Sequence, residues 1–123
     1  MRPSVALLGG CLGLLIGSLS ACADVNKQPL AGRYYITVSE DGDPGLYFDD
    51  PQLGPTRLQR AMAMGVTNGY VVASEDSCYI FPPAAATAEA ARRARIGPLT
   101  EANCKQRIYQ LTGDSLHLTR FAI

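Results

Sequence analysis

The part of this chain that most limits what it can fold into is its beginning: Arg2, an apolar run from Val5 to Ile16, and the tetrapeptide Leu19-Ser20-Ala21-Cys22. A basic residue ahead of a short apolar run is the layout of an export signal. A stable membrane-spanning helix needs about 20 apolar residues, and here Gly17, Ser18 and Ser20 interrupt the run. Residues 1–21 therefore read as a leader that is removed. What remains, Cys22 to Ile123, is enough chain for one domain and too little for two.

The closing tetrapeptide resembles the lipobox of bacterial lipoproteins, with a long apolar residue three places before the cysteine and small residues at the next two. The resemblance implies a diacylglycerol on the Cys22 sulfur, cleavage before Cys22, and usually a third acyl chain on the new amino group. Such an anchor exceeds the two-signal condition for stable attachment. Ala23 rather than Asp follows the cysteine, with Asp24 one place later, which resembles the outer-membrane sorting pattern. The expectation is an envelope protein held by lipid at the outer membrane and facing the periplasm, with residues 22–31 as tether and 32–123 as domain. The plainer alternative is an ordinary secretory signal with Cys22 free or disulfide-bonded.

On that reading Cys11 leaves with the leader and Cys22 carries lipid, so Cys78 and Cys104 remain. In an oxidising compartment two cysteines have one intramolecular pairing. It closes a loop of about 27 residues, worth roughly 3 kcal/mol in the chain-entropy account. A metal site would want further ligands, and His117 is the one histidine; a redox motif would want C-x-x-C, which does not occur. Eleven basic and eleven acidic residues leave no net charge, which argues against a nucleic-acid partner. Acidic residues gather early (Glu40, Asp41, Asp43, Asp49, Asp50) and basic ones late (Arg92, Arg93, Arg95, Lys105, Arg107). That asymmetry suits either an oriented partner or two solvated faces of one domain.

Along the domain, R-Y-Y-I-T-V from Arg33 to Val38 reads as a strand with Tyr34, Ile36 and Val38 on one face. E-D-G-D-P-G is a turn, and its alternating Asp41 and Asp43 lack the glycine and glutamate of a calcium-binding EF-hand loop. Leu46 to Phe48 is a second strand, ended by D-D-P-Q-L-G-P. Leu58 to Ala61 stays open between strand and helix. Asn68-Gly69 is a hairpin signal joining a strand at Met62–Thr67 to one at Tyr70–Ala73, and Cys78–Phe81 follows. Ala84 to Arg95 reads as a helix, Ile96–Leu99 as a hinge, and Thr100 as the cap of a second helix with Cys104, Ile108 and Leu111 buried and Glu101 set four residues from Lys105. Leu116 to Phe121 closes the chain as a strand. The sum is an α+β domain: a small antiparallel sheet of five or six strands with two helices packed on one face.

No G-x-S-x-G accompanies His117, and neighbouring carboxylates such as Asp49 and Asp50 point opposite ways along a strand. The chain reads as a non-enzyme, without cofactor or metal. Its aromatic residues are the better lead, because one helical layer cannot hide both faces of a sheet bearing so many tyrosines. Tyr35, Tyr47 and Tyr70, with Asp41 and Asp43, are the candidate partner contacts.

The succession G-R-Y-Y-I, L-Y-F-D, G-V-T-N-G-Y-V-V-A, C-Y-I-F and I-G-P-L-T before a helix resembles small bacterial lipoprotein and immunity-like domains over roughly Gly32 to Leu111. The resemblance carries over no catalytic residue and implies a protein-binding or protective role at the envelope. The expected function is a membrane-anchored module that binds an envelope or periplasmic protein, with neutralisation of a toxin or enzyme as its sharpest form. The alternatives are a structural or accessory lipoprotein and, behind it, a small carboxylate hydrolase.

Overall fold

The structure is a computed structural model that describes residues 27–121. The leader, the acylation site Cys22 and most of the expected tether lie outside the described residues. Among the described residues nine strands and two helices follow in order: β1 Gln28–Ala31, β2 Tyr34–Val38, β3 Pro44–Asp50, β4 Gly54–Arg60, β5 Ala63–Thr67, β6 Tyr70–Ser74, β7 Cys78–Phe81, α1 Ala88–Ala94, β8 Ile96–Leu99, α2 Glu101–Thr112 and β9 Thr119–Arg120.

The strands form two antiparallel sheets, β1-β2-β3-β4 and β8-β7-β6-β5-β9. The chain crosses from the first to the second at Ala61-Met62, where Ala61 N–H donates to Pro44 O and Met62 N–H to Ser74 O. Between the sheets lies one core, in which Tyr34, Ile36, Leu46, Phe48 and Leu58 meet Met64, Val71, Ala73 and Phe81. The Tyr34 ring stands edge-on to Phe48 with centroids 5.1 Å apart. Burial pushes the Tyr34 hydroxyl up to about 12, and that hydroxyl donates to Pro82 O at 2.7 Å. A second core lies on the far side of the second sheet, where Val72, Cys78 and Ile80 pack under Cys104 and Ile108 of α2, together with Leu116. The second sheet is thus covered on both faces, and its central strands are apolar at consecutive positions.

The α+β class holds, with the strands distributed over two sheets instead of one and the helices serving different cores. α2 covers the second sheet, whereas α1 contributes Ala88 and Ala91 to the core between the sheets. Several element readings shift for identifiable reasons. Gln28–Ala31, read as tether, is an edge strand paired with β2, a position that tolerates Pro29. Leu58 to Arg60 is strand, and the alternation fails there because β3 pairs Leu46 with Gln59 and then Tyr47 with Arg57, leaving Leu58 as a bulge. The hinge at Ile96–Leu99 is β8, again an edge strand holding a proline, Pro98. Helix α1 starts only after Thr87, whose hydroxyl caps it by accepting from Ala90 N–H. Leu111 is exposed, and Leu116 fills the core in its place. The hairpin at Asn68-Gly69 is as read, with both residues at positive φ, 50° and 85°.

Two contacts fix the periphery. Asp50, buried at the end of β3, accepts from Gln52 N–H and Leu53 N–H through one carboxylate oxygen and from Ala88 N–H through the other. One side chain therefore closes the β3–β4 turn and holds the first turn of α1. These backbone hydrogen bonds, that from Ala88 foremost, hold the Asp50 carboxyl below its usual range. The second contact is at Gly65, where a Cβ would stand 2.4 Å from His117 O and 2.8 Å from Leu116 Cδ1. The segment leading to β9 lies directly on that glycine.

Because the folded pKa of Asp50 is depressed, its contribution is complete above the unfolded carboxyl value of about 4 and is lost as pH falls below it. Asp50→Asn should lower the thermal midpoint at neutral pH by about 5 °C, and the gap from the parent should close as the pH of the melts is taken below about 4. Gly65→Ala, which forces the 116–117 segment off β5, should destabilise by about 1–3 kcal/mol in urea unfolding.

Candidate functional site

The described chemistry concentrates under the first turn of α2. On the helix-facing side of the second sheet a row of paired residues runs across all five strands. Leu99 on β8 faces Cys78 on β7, Cys78 faces Ser74 on β6, Ser74 faces Ala63 on β5, and Ala63 faces Arg120 on β9. Helix α2 lays Glu101 and Cys104 over this row, three residues apart and hence on one helix face. The Thr100 hydroxyl starts the helix by accepting from Asn103 N–H, which sets the angular position of both side chains.

Glu101 is the polar half of the contact. Its Oε2 accepts from the Ser74 hydroxyl at 2.9 Å, and its Oε1 accepts from the Arg120 guanidinium. Arg120 first and Ser74 second hold the Glu101 carboxyl below its usual range. The expected partner four residues along, Lys105, is not what Glu101 grips. The cysteines are the apolar half: both are fully buried and both are free thiols in this structure. The Cys78 thiol beside it foremost, then burial and the nearby Glu101 charge, push the Cys104 thiol well up. Cys78 and Cys104, expected from the sequence to pair, lie together in one core without a disulfide between them.

Open clefts mark the surface of the described residues, three of which bear on the site. One of about 250 Å³ lies at the open side of the sandwich, lined by Leu30, Ile36, Met64, Val66 and Phe121 with His117 on its wall. A second, also about 250 Å³, is polar and includes Arg60, Glu75, Asp76, Tyr79 and Arg95. There Arg60 reaches both Asp43 and Glu75, at 3.5 and 3.3 Å, and Arg95 sits over the Tyr79 ring. The third, about 300 Å³, runs along α2 past Asn103 and Arg107.

The candidate partner contacts do not form one patch. Tyr35 and Tyr47 face each other across β2 and β3 with rings stacked at 5.7 Å on the outer face of the first sheet. The Lys27 ammonium lies over Tyr35 at 4.3 Å, and Arg57 is opposite Tyr47 on β4. Tyr35 is buried by its neighbours, whereas Tyr47 is half-buried. Asp41 and Asp43 lie in the turn that joins those same two strands. Tyr70 belongs elsewhere, on the second sheet against the α2 core. The Glu101–Ser74–Arg120 contact carried no sequence signal, since its members are 27 and 19 positions apart.

A scan of known protein families, a search of curated proteins and a search of solved structures each return no match to this chain.

Removing the Ser74 hydroxyl deletes the second of the two bonds that depress Glu101. In Ser74→Ala the Glu101 carboxyl should titrate at higher pH than in the parent, followed by carboxyl NMR, with Arg120 keeping it below the free-glutamate value of about 4.3.

Proposed function

We propose that this chain is an envelope protein anchored through acylated Cys22, whose domain binds another protein with the outer face of its first sheet. The observation that carries the binding half is the row Lys27, Tyr35, Tyr47 and Arg57, an aromatic stack with the Lys27 ammonium over one ring and Arg57 as the cross-strand partner of the other, running across β2, β3 and β4. Aromatic and arginine side chains are the residues that dominate protein contacts. The acidic turn at Asp41 and Asp43 stands at one end of the same strands and would set the orientation of an approaching partner. A face of this kind suits a protein better than a small molecule, which is held in a concave pocket that buries most of its surface.

The anchoring half rests on the Leu19-Ser20-Ala21-Cys22 signal. Five residues lead from Cys22 to Lys27, a span of at most about 18 Å when fully extended. The binding face therefore works close to the bilayer, and its partner is an envelope or periplasmic protein. Among the described residues no helix is long and apolar enough to cross a membrane.

The test is metabolic labelling with a palmitate analogue followed by affinity capture from envelopes. Label should enter the full chain and be absent from Cys22→Ala. A specific protein should be retained by the parent and reduced about tenfold or more on Tyr47→Ala. Label that persists in Cys22→Ala removes the anchor, and capture unaffected by Tyr47→Ala removes the proposed face. Inhibition of the captured protein by the domain would assign the protective role.

A further inference from the structure

The thiol pair lies in the core beneath α2, and the first turn of that helix is held down on the sheet by Glu101. Glu101 and Ser74 stand one above the other, as do Cys104 and Cys78, because Ser74 and Cys78 are cross-strand partners and Glu101 and Cys104 share a helix face. Arg120, at the far end of the same row, grips the other carboxylate oxygen. Both cysteines are completely buried. Thiol–disulfide exchange requires in-line access of an attacking thiolate to a sulfur of the oxidant, so no oxidant reaches either cysteine while α2 is seated.

We propose that Cys78 and Cys104 are an oxidisable dithiol gated by the Glu101 contact: the pair closes to an intramolecular disulfide when the first turn of α2 lifts from β6, and is protected from further exchange once it reseats. With a small disulfide such as oxidised glutathione as oxidant, one cysteine thiolate attacks a glutathione sulfur. Its partner leaves as glutathione thiolate. The second cysteine thiolate then attacks the protein sulfur of the mixed disulfide and expels the other glutathione. Two electrons pass to the oxidant, the two cysteine protons are taken up by the departing thiolates, and a Cys78–Cys104 bond replaces the glutathione disulfide bond. Glu101 is a positioning residue here, since it touches neither the oxidant nor the reacting sulfurs. The inference is independent of the anchor and of the binding face, because oxidation can be followed on purified protein.

The experiment uses the full chain with Cys11→Ala and Cys22→Ala, so that Cys78 and Cys104 are its sole thiols. Reduced protein is exposed to iodoacetamide under native conditions and the labelling rate is read by mass spectrometry. Labelling should be slow in the parent and about tenfold faster in Glu101→Gln, the loss expected for a charge-assisted hydrogen bond. Ser74→Ala, which leaves the Arg120 contact in place, gives a smaller acceleration and serves if Glu101→Gln does not fold. Asp50→Asn weakens the opposite side of the molecule and should leave the rate unchanged. With oxidised glutathione, the same order of rates should lead to a product linking the Cys78 and Cys104 peptides. Equal acceleration by Asp50→Asn would show that the thiols are reached through global unfolding and would overturn the gate. A product that stays glutathionylated without the Cys78–Cys104 link would overturn the pair.

Discussion

The second sheet is covered on both faces, and the rest of the architecture follows from that constraint. A strand with a core on each side has no position left for a polar residue, so β6 and β7 spend consecutive residues alternately on the inter-sheet core and on the core beneath α2. The first sheet has one core and one open face. It can therefore place Tyr35 and Tyr47 outward while Tyr34, Leu46 and Phe48 turn inward. The polar residues that do enter the central layer are confined to strand ends, as with Ser74 at the end of β6, and each of these needs a partner supplied by another element. Glu101 is that partner for Ser74.

Asp50 solves the equivalent problem at the opposite corner. A tight turn leaves N–H groups without ladder partners, and the start of a helix leaves more. One buried carboxylate takes up Gln52, Leu53 and Ala88 together, so the β3–β4 turn and the start of α1 are a single structural unit although 38 positions separate Asp50 from Ala88. Glu101 and Asp50 thus play parallel roles, each joining a helix start to the end of a strand. They differ in what surrounds them: backbone donors at Asp50, side chains and two sulfurs at Glu101.

How much of this was legible follows from the range of the forces involved. The Asn68-Gly69 hairpin, the Thr100 cap and the Cys104–Ile108 stripe are local, and local chemistry states them directly. The division of β2 into two faces is legible because Tyr34 and Ile36 alternate cleanly with Tyr35 and Thr37. Leu58 was ambiguous because the bulge there shifts the register by one residue, an event set by β3 and invisible within β4. Gln28–Ala31 and Ile96–Leu99 were missed as strands because proline and glycine read as breakers, whereas an edge strand needs only one side of its ladder. The pairing of Cys78 with Cys104 was reached by elimination, and their contact follows from α2 lying across β7. The hold of Glu101 on Arg120 could not be read, since it depends on β9 returning to the edge of β5.

That return of β9 has a consequence for synthesis. Every other ladder joins strands that are neighbours in strand order, whereas β9 pairs with β5 across three intervening strands and both helices. A chain emerging from its N-terminus can assemble β1 through β8 and dock α2 with Ser74 alone to receive Glu101. Arg120 arrives afterwards, among the last of the described residues to emerge. The domain therefore passes through an interval in which β1 through β8 are paired, the β5 edge is still open, and the turn above its two cysteines is held at one point instead of two. Vectorial emergence gives the thiols a window of exposure that the finished fold then removes.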